Sequence, residues 1–232
     1  MASKEDSTTS ISPALAARGT GVQAPAVDAL FTQIAVSFLS PDAFGLESSL
    51  GLPVQMLQEA TGTDAAFVAL LNEADQSIDT VVAAHSAFTR CRPEVLSGKS
   101  LTDWPVLSER LHVLRVIEIS DTERPAGNMQ LAARDLAEIH VGSCLLVGIS
   151  CERAETAADR PQLTAILGLI NEATTEQWPT DLNLLMKLLA ANLGAGLARC
   201  KVETELTDLH ERDGLLLTTA NDGIWDFDGQ TK

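Results

Sequence analysis

Apolar residues recur at Val27, Leu30, Phe31, Ile34 and Phe38, the spacing of one helix face, and predict a helix from residue 26 that Ser40-Pro41 ends. A second helix follows through Leu50, Val54 and Leu57, with Gly62 placed to end it. Ala65–Leu71 is an unbroken apolar run of strand length, and Ile78–Ala84 is rich in β-branched residues. The polar stretch Asn72-Glu-Ala-Asp-Gln between them makes the two a hairpin. Further strands are predicted over Val113–Ser120, Val141–Cys151 and Leu163–Ile170. Helices are predicted from Trp104, with Pro105 in the first turn, over Met129–Ile139, and from Asp181 as N-cap onward.

Helices at both ends of the chain around hairpin-connected strands point to an α+β domain on an antiparallel sheet. In Val141–Cys151 one alternating set holds Val141, Leu145, Val147 and Ile149, and the other holds Gly142, Cys144, Leu146 and Gly148. A strand apolar on both sides is covered on both faces. The terminal helices are therefore expected on one face and residues 86–138 on the other. The stretch 86–112 is irregular and longer than the ~12–15 residues beyond which loops usually serve a function. A ligand pocket is expected on that side.

Residues 1–25 hold few large apolar side chains and read as a loose tail, with a short helix near Pro13–Arg18. With 16 Lys+Arg against 32 Asp+Glu, the net charge of −16 repels phosphate backbones and anionic lipid, which argues against a nucleic-acid binder. No window reaches the ~18 consecutive apolar residues of a membrane span, and no secretory leader opens the chain. Cys91, Cys144, Cys151 and Cys200 are scattered and match no zinc or redox spacing, so a cytoplasmic protein without a metal is expected.

The candidate ligand residues are Arg90, Arg92, Trp104, His112 and Arg134. Arg90 and Arg92 flank Cys91 in the only basic cluster of the irregular stretch and suit a small carboxylate or phosphate. Trp104 can wall an apolar pocket, and Arg134 can pair with an anion from its helix. His85, His112 and His140 each stand alone, with no i, i+4 partner for a metal. Cys144 and Cys151 fall on opposite strand faces by their odd spacing.

Five features together resemble a GAF domain, over roughly residues 26–200. They are the element order, the strand Asp64-Ala-Ala-Phe-Val-Ala-Leu-Leu after a capped helix, Trp104 in a short helix before a strand, Val116-Ile-Glu-Ile-Ser-Asp121, and a final helix after Trp178-Pro179. The last stretch, Leu215-Leu-Leu-Thr-Thr-Ala-Asn-Asp-Gly-Ile-Trp-Asp-Phe-Asp228, resembles the opening of a PAS domain. The resemblance divides the chain into the tail, a sensor domain at 26–200, a helical linker at 201–216 and the start of a PAS domain at 217–232. It implies a small-molecule sensor of a bacterial signalling protein rather than an enzyme, its cofactor unknown. Bilin attachment in that family uses a Cys followed by His, and cyclic-nucleotide binding an Asn-Lys-x-Phe-Asp-Glu string; neither occurs here. A thiol-dependent reductase of free methionine sulfoxide and a ligand-free dimerisation module are the competing readings.

Leu182, Leu185, Leu189, Leu193 and Leu197 continue into Val202, Leu206, Leu209 and Leu216, interrupted by Asp213. The later group follows coiled-coil spacing. It predicts a parallel homodimer through the terminal helices, with a seam from Leu185 to Leu209 beside the helix Val27–Phe38, relaying to a downstream PAS and output domain.

Overall fold

The computed structural model describes residues 24–42, 45–112, 116–123, 136, 140–151, 163–175 and 177–222. The helix near Pro13–Arg18, the Met129–Ile139 helix apart from Leu136, the acidic loop after Cys151, and everything from Gly223 on lie outside them.

Two helices open the described chain, α1 (Ala24–Leu39) and α2 (Leu46–Thr61). The first starts at Ala24, just inside the segment expected to be tail. The second ends as its sequence requires: Gly62 takes the left-handed conformation at φ 63° and its N–H donates to the Gln58 carbonyl at 2.9 Å. Strands β1 (Ala65–Leu71) and β2 (Ile78–His85) form the expected hairpin. Two 3-10 turns, Pro93–Leu96 and Leu101–Asp103, lead to α3 (Pro105–His112). Then come β3 (Val116–Ile119), β4 (Ser143–Ile149), β5 (Ala165–Asn171) and the long α4 (Thr180–Asp222).

The five strands form one antiparallel sheet in the order β2-β1-β5-β4-β3. All of β4 and nearly all of β1 and β5 is buried, because both faces are covered. On one face α1, α2 and α4 bury Ile34, Phe38, Leu57 and Leu189 against Val68, Leu145 and Leu167. On the other, the 86–112 segment buries Leu101, Trp104 and Leu111 against Phe67, Cys144, Leu146 and Ile170. The two-layer expectation for an α+β fold is met.

α4 begins at Thr180, so Asp181 stands in its first turn, not at the N-cap. There its carboxylate still faces the positive end of the helix dipole. The expected seam also needs correction. Leu182, Leu189, Leu193 and Leu197 are core residues of the helix-covered face, and Leu185 packs against them. Among the described residues, the leucines that α4 leaves exposed are Leu184, Leu188, Leu206 and Leu209.

Near its middle α4 touches α1 closely. A Cβ at Gly196 would collide with the Phe38 carbonyl, and the Cys200 thiol donates to the Pro41 carbonyl at 3.4 Å. Matching α1 positions with α4 positions in this order means that the two helices run the same way.

Candidate ligand-binding face

The irregular layer is tied to the sheet edge by backbone bonds. Ile78 N–H donates to the Lys99 carbonyl at 2.8 Å, Gly98 N–H to the Ile78 carbonyl at 2.7 Å, and Leu101 N–H to the Gln76 carbonyl at 3.1 Å. Its inner surface is apolar. Trp104 is only 4% exposed and belongs to this core.

Two glycines on the central strands permit close packing on this face. At Gly168 on β5 a Cβ would run into the Phe67 ring, so the ring occupies the space over that residue. At Gly148 on β4 a Cβ would stand 2.7 Å from the Leu111 carbonyl oxygen, so the end of α3 lies directly on the strand. Only glycine permits either approach.

At one end of the sheet a polar clasp holds the loop after β2. The Glu172 carboxylate accepts from the Thr89 hydroxyl at 2.7 Å and from the Arg90 backbone N–H, and pairs with the Arg90 guanidinium at 3.4 Å. Those backbone, hydroxyl and charge contacts hold its carboxyl below the usual range. Glu172 N–H in turn donates to Asp64 at 2.8 Å, and Asp64 N–H to the Asn171 side chain at 3.2 Å. Arg92 donates to the Thr89 and Cys91 carbonyls at 2.9 and 2.7 Å, and the Cys91 thiol to the His140 carbonyl at 3.1 Å. The clasp fixes where the covering layer leaves the sheet.

The predicted ligand residues are therefore distributed as follows. Arg90 and Arg92 share this loop, the first in an ion pair and the second bonded to carbonyls of its own loop. Trp104 lies in the apolar layer. His112 ends α3, its side chain outside the described residues, as is Arg134. Glu172, Asp64 and Thr89 were not legible as a group, because Glu172 meets Thr89 across 83 residues and nothing local marks the pair. The adjacent His85 is fastened to Glu94 at 2.6 Å, with its Nδ1 buried and unpartnered.

None of the four cysteines is in a disulfide. Burial pushes Cys144 up to about 12 and raises Cys91 and Cys200 as well. Thiolate is the nucleophilic form, so burial makes these three poor nucleophiles. Cys144 and Cys151 face opposite layers, as their spacing implied. Among the described residues no cluster of His, Cys, Asp and Glu is arranged to hold a metal. No described helix is long and apolar enough to cross a membrane.

No protein-family model matches the sequence, and no curated protein matches it. Solved structures do match in shape. A phycoerythrobilin-bound GAF domain from a cyanobacterial phytochrome aligns over 80% of this chain and 100% of its own, at 15% identity and a TM-score of 0.59. The GAF domain of an Acinetobacter phosphoenolpyruvate-protein phosphotransferase aligns over 77% and 97%, at 14% identity and 0.52. A bacteriophytochrome from R. palustris aligns over 91% of this chain and 44% of its own, at 14% identity and 0.63.

The fold is a GAF fold. In GAF terms, α1, α2 and α4 form the helical layer behind the sheet, and the 86–112 segment with α3 begins the layer over the other face. Identity this low carries the fold alone.

Proposed function

We propose that the chain is a cytoplasmic sensory module in which the GAF domain binds a small molecule and passes the bound state along α4, in a parallel homodimer, to a PAS and output domain. One observation carries this reading. The same helix that buries Leu182, Met186, Leu189, Leu193 and Leu197 behind the sheet continues to Asp222, and from Lys201 to Arg212 its side chains are exposed apart from half-buried Thr207. Whatever shifts the sheet shifts a helix that leaves the domain. The proposed binding site lies between the sheet and residues 86–138, with Arg90, Arg92, Trp104, His112 and Arg134 as its candidate ligand residues. Ligand binding biases α4 only through a difference in affinity between two helix positions. Four cysteines outside any disulfide suit a reducing compartment.

Mass spectrometry of gently purified protein, followed by hydrogen exchange with the retained molecule present and removed, tests the reading. Protection gained within 86–138 is expected. Protection confined to 26–40 and 181–210 overturns the placement.

A second reading has its own support. Phe67 over Gly168 and Leu111 over Gly148 fill part of the ligand face with the protein's own atoms. A module whose pocket is self-filled and whose task is dimerisation fits that packing. Finding no retained molecule, together with a stable dimer, favours it.

A further inference from the structure

The turn between β1 and β2, residues 72–77, is densely bonded to itself. The Asn72 side chain accepts from the Ala74 N–H at 2.8 Å, and the Gln76 N–H donates to the Asn72 carbonyl at 2.9 Å. Asp75 accepts from the Ser77 N–H at 3.0 Å and from its hydroxyl at 2.7 Å. Gln76 closes the turn in the left-handed region at φ 56°, and its side-chain amide donates to the Leu163 carbonyl at 3.2 Å. A segment bonded in this way moves as one piece.

The turn touches two parts of the domain that are otherwise far apart in sequence. On one side, the Gln76 carbonyl accepts from the Leu101 N–H at 3.1 Å and Ser77 forms a β-bridge with Ser100, which ties the turn to the layer over the candidate ligand face. On the other side, the Lys201 ammonium donates to both oxygens of the Glu73 carboxylate, at 2.8 and 2.9 Å. Leu193, Leu197 and Lys201 follow one another along α4 at four-residue steps, about 40° apart around the helix. The two leucines lie in the core behind the sheet, so Lys201 is where that stripe leaves the core and the rod of residues 201–212 begins. On another side of α4, Arg199 and the Cys200 thiol both donate to the Pro41 carbonyl after α1. The helix is thus gripped from two sides as it leaves the domain.

We propose that the β1–β2 turn is a strut that couples the ligand-side layer to the exit of α4 around the edge of the sheet, with the Glu73–Lys201 pair as its releasable end. The inference rests on the relay proposed above and names its route. Two observations favour this route. A route through the sheet has to displace central strands that are buried on both faces, with Phe67 packed over Gly168 and Leu111 over Gly148. The route around the edge leaves that core in place. The two ends of the strut also differ in kind. Its layer end is made of backbone hydrogen bonds, which are costly to leave unmade away from water. Its α4 end is an ion pair with side chains 40% and 47% exposed, and water competes for both charges there. The pair therefore opens and recloses without unfolding its surroundings. A molecule that favours one position of the layer then favours one state of the pair.

Hydrogen exchange of the full chain, read by mass spectrometry, tests the strut without any ligand, so a chain that retains no small molecule leaves the outcome intact. Glu73→Gln and Lys201→Met are made singly and together. Glu73→Gln is expected to speed exchange in 201–212 several-fold in the parent chain and to add nothing once Lys201 is Met. By reciprocity, Lys201→Met is expected to speed exchange in 97–101, on the far side of the turn. The amides of β4 should stay as slow as in the parent throughout. An effect of Glu73→Gln that is absent, or equal in both backgrounds, overturns the pair as a clamp on α4. Unchanged exchange in 97–101 makes the pair a local contact and overturns the coupling. Loss of β4 protection makes the pair part of the core and overturns its role as a releasable end.

Discussion

The Phe67 ring on β1 rests against the Cα of Gly168 on β5, directly across from it in the register of the two strands. A cross-strand pair of an aromatic with a glycine lets the ring lie over the neighbouring strand. Here it also places the ring in the middle of the face on which a GAF ligand is proposed to bind. Gly168→Ala is expected to cost about 2–3 kcal/mol, because neither the ring nor the backbone can give way. Phe67→Leu in the same chain removes the obstruction. Denaturant titration of the two single variants and the double variant should give a double-variant loss well below the sum. Additive losses would show that the ring does not occupy this space.

Glu172 joins the β5 end to the Thr89–Arg90 loop. Its lowered carboxyl means that the folded state favours the charged form. The stability it contributes is therefore present above the ordinary carboxylate range, and is lost as pH falls through the folded value. Glu172→Gln should cost about 1 kcal/mol at pH 7 and flatten the acid limb of the stability curve. Chemical denaturation between pH 3 and pH 7, a range spanning ordinary carboxylates, reads both effects. An unchanged acid limb would mean that the clasp does not sense protonation.

The thiols give a direct check on the reductase alternative. Cys91, Cys144 and Cys200 are raised by burial, and only Cys151 is partly open to solvent. A thiol reagent at pH 8 should label one cysteine quickly and the other three at the rate of unfolding. Rapid labelling of Cys91 or Cys144, together with turnover of methionine sulfoxide, would favour the enzyme.

In the proposed dimer, replacing Leu206 and Leu209 by Glu places four carboxylates between the two copies of α4. The variant should sediment as a monomer where the parent chain is a dimer, with the thermal transition of the domain little changed, since these residues lie outside its core. A loss of domain stability equal to the loss of association would show that the rod belongs to the core.

How much of this was legible depended on distance along the chain. The two-sided apolar pattern of Val141–Cys151 shows that both faces of the sheet are covered, and Gly62 marks the end of α2. The face of α4 could not be read so directly. Leu182, Leu184, Leu185, Met186, Leu188 and Leu189 surround its first turns, and a helix that is apolar all round gives periodicity no single face to select. Packing decides: Met186 and Leu189 meet the sheet, while Leu184 and Leu188 do not. Arg90 shows the same limit for charge. In the sequence it is half of a basic pair; in the fold its charge is met by Glu172, 82 positions away.

The contact between Gly196 and the Phe38 carbonyl holds α4 against α1 near its midpoint. From that pivot to Asp222 the helix runs about 39 Å. Over that length a small angle becomes travel: with the buried half of α4 kept behind the sheet, a bend of about 10° just past Gly196 carries the far end through about 7 Å, more than a full helical turn of about 5.4 Å. A slight bend outside the core thus arrives at the end of the helix as a displacement the size of a side chain.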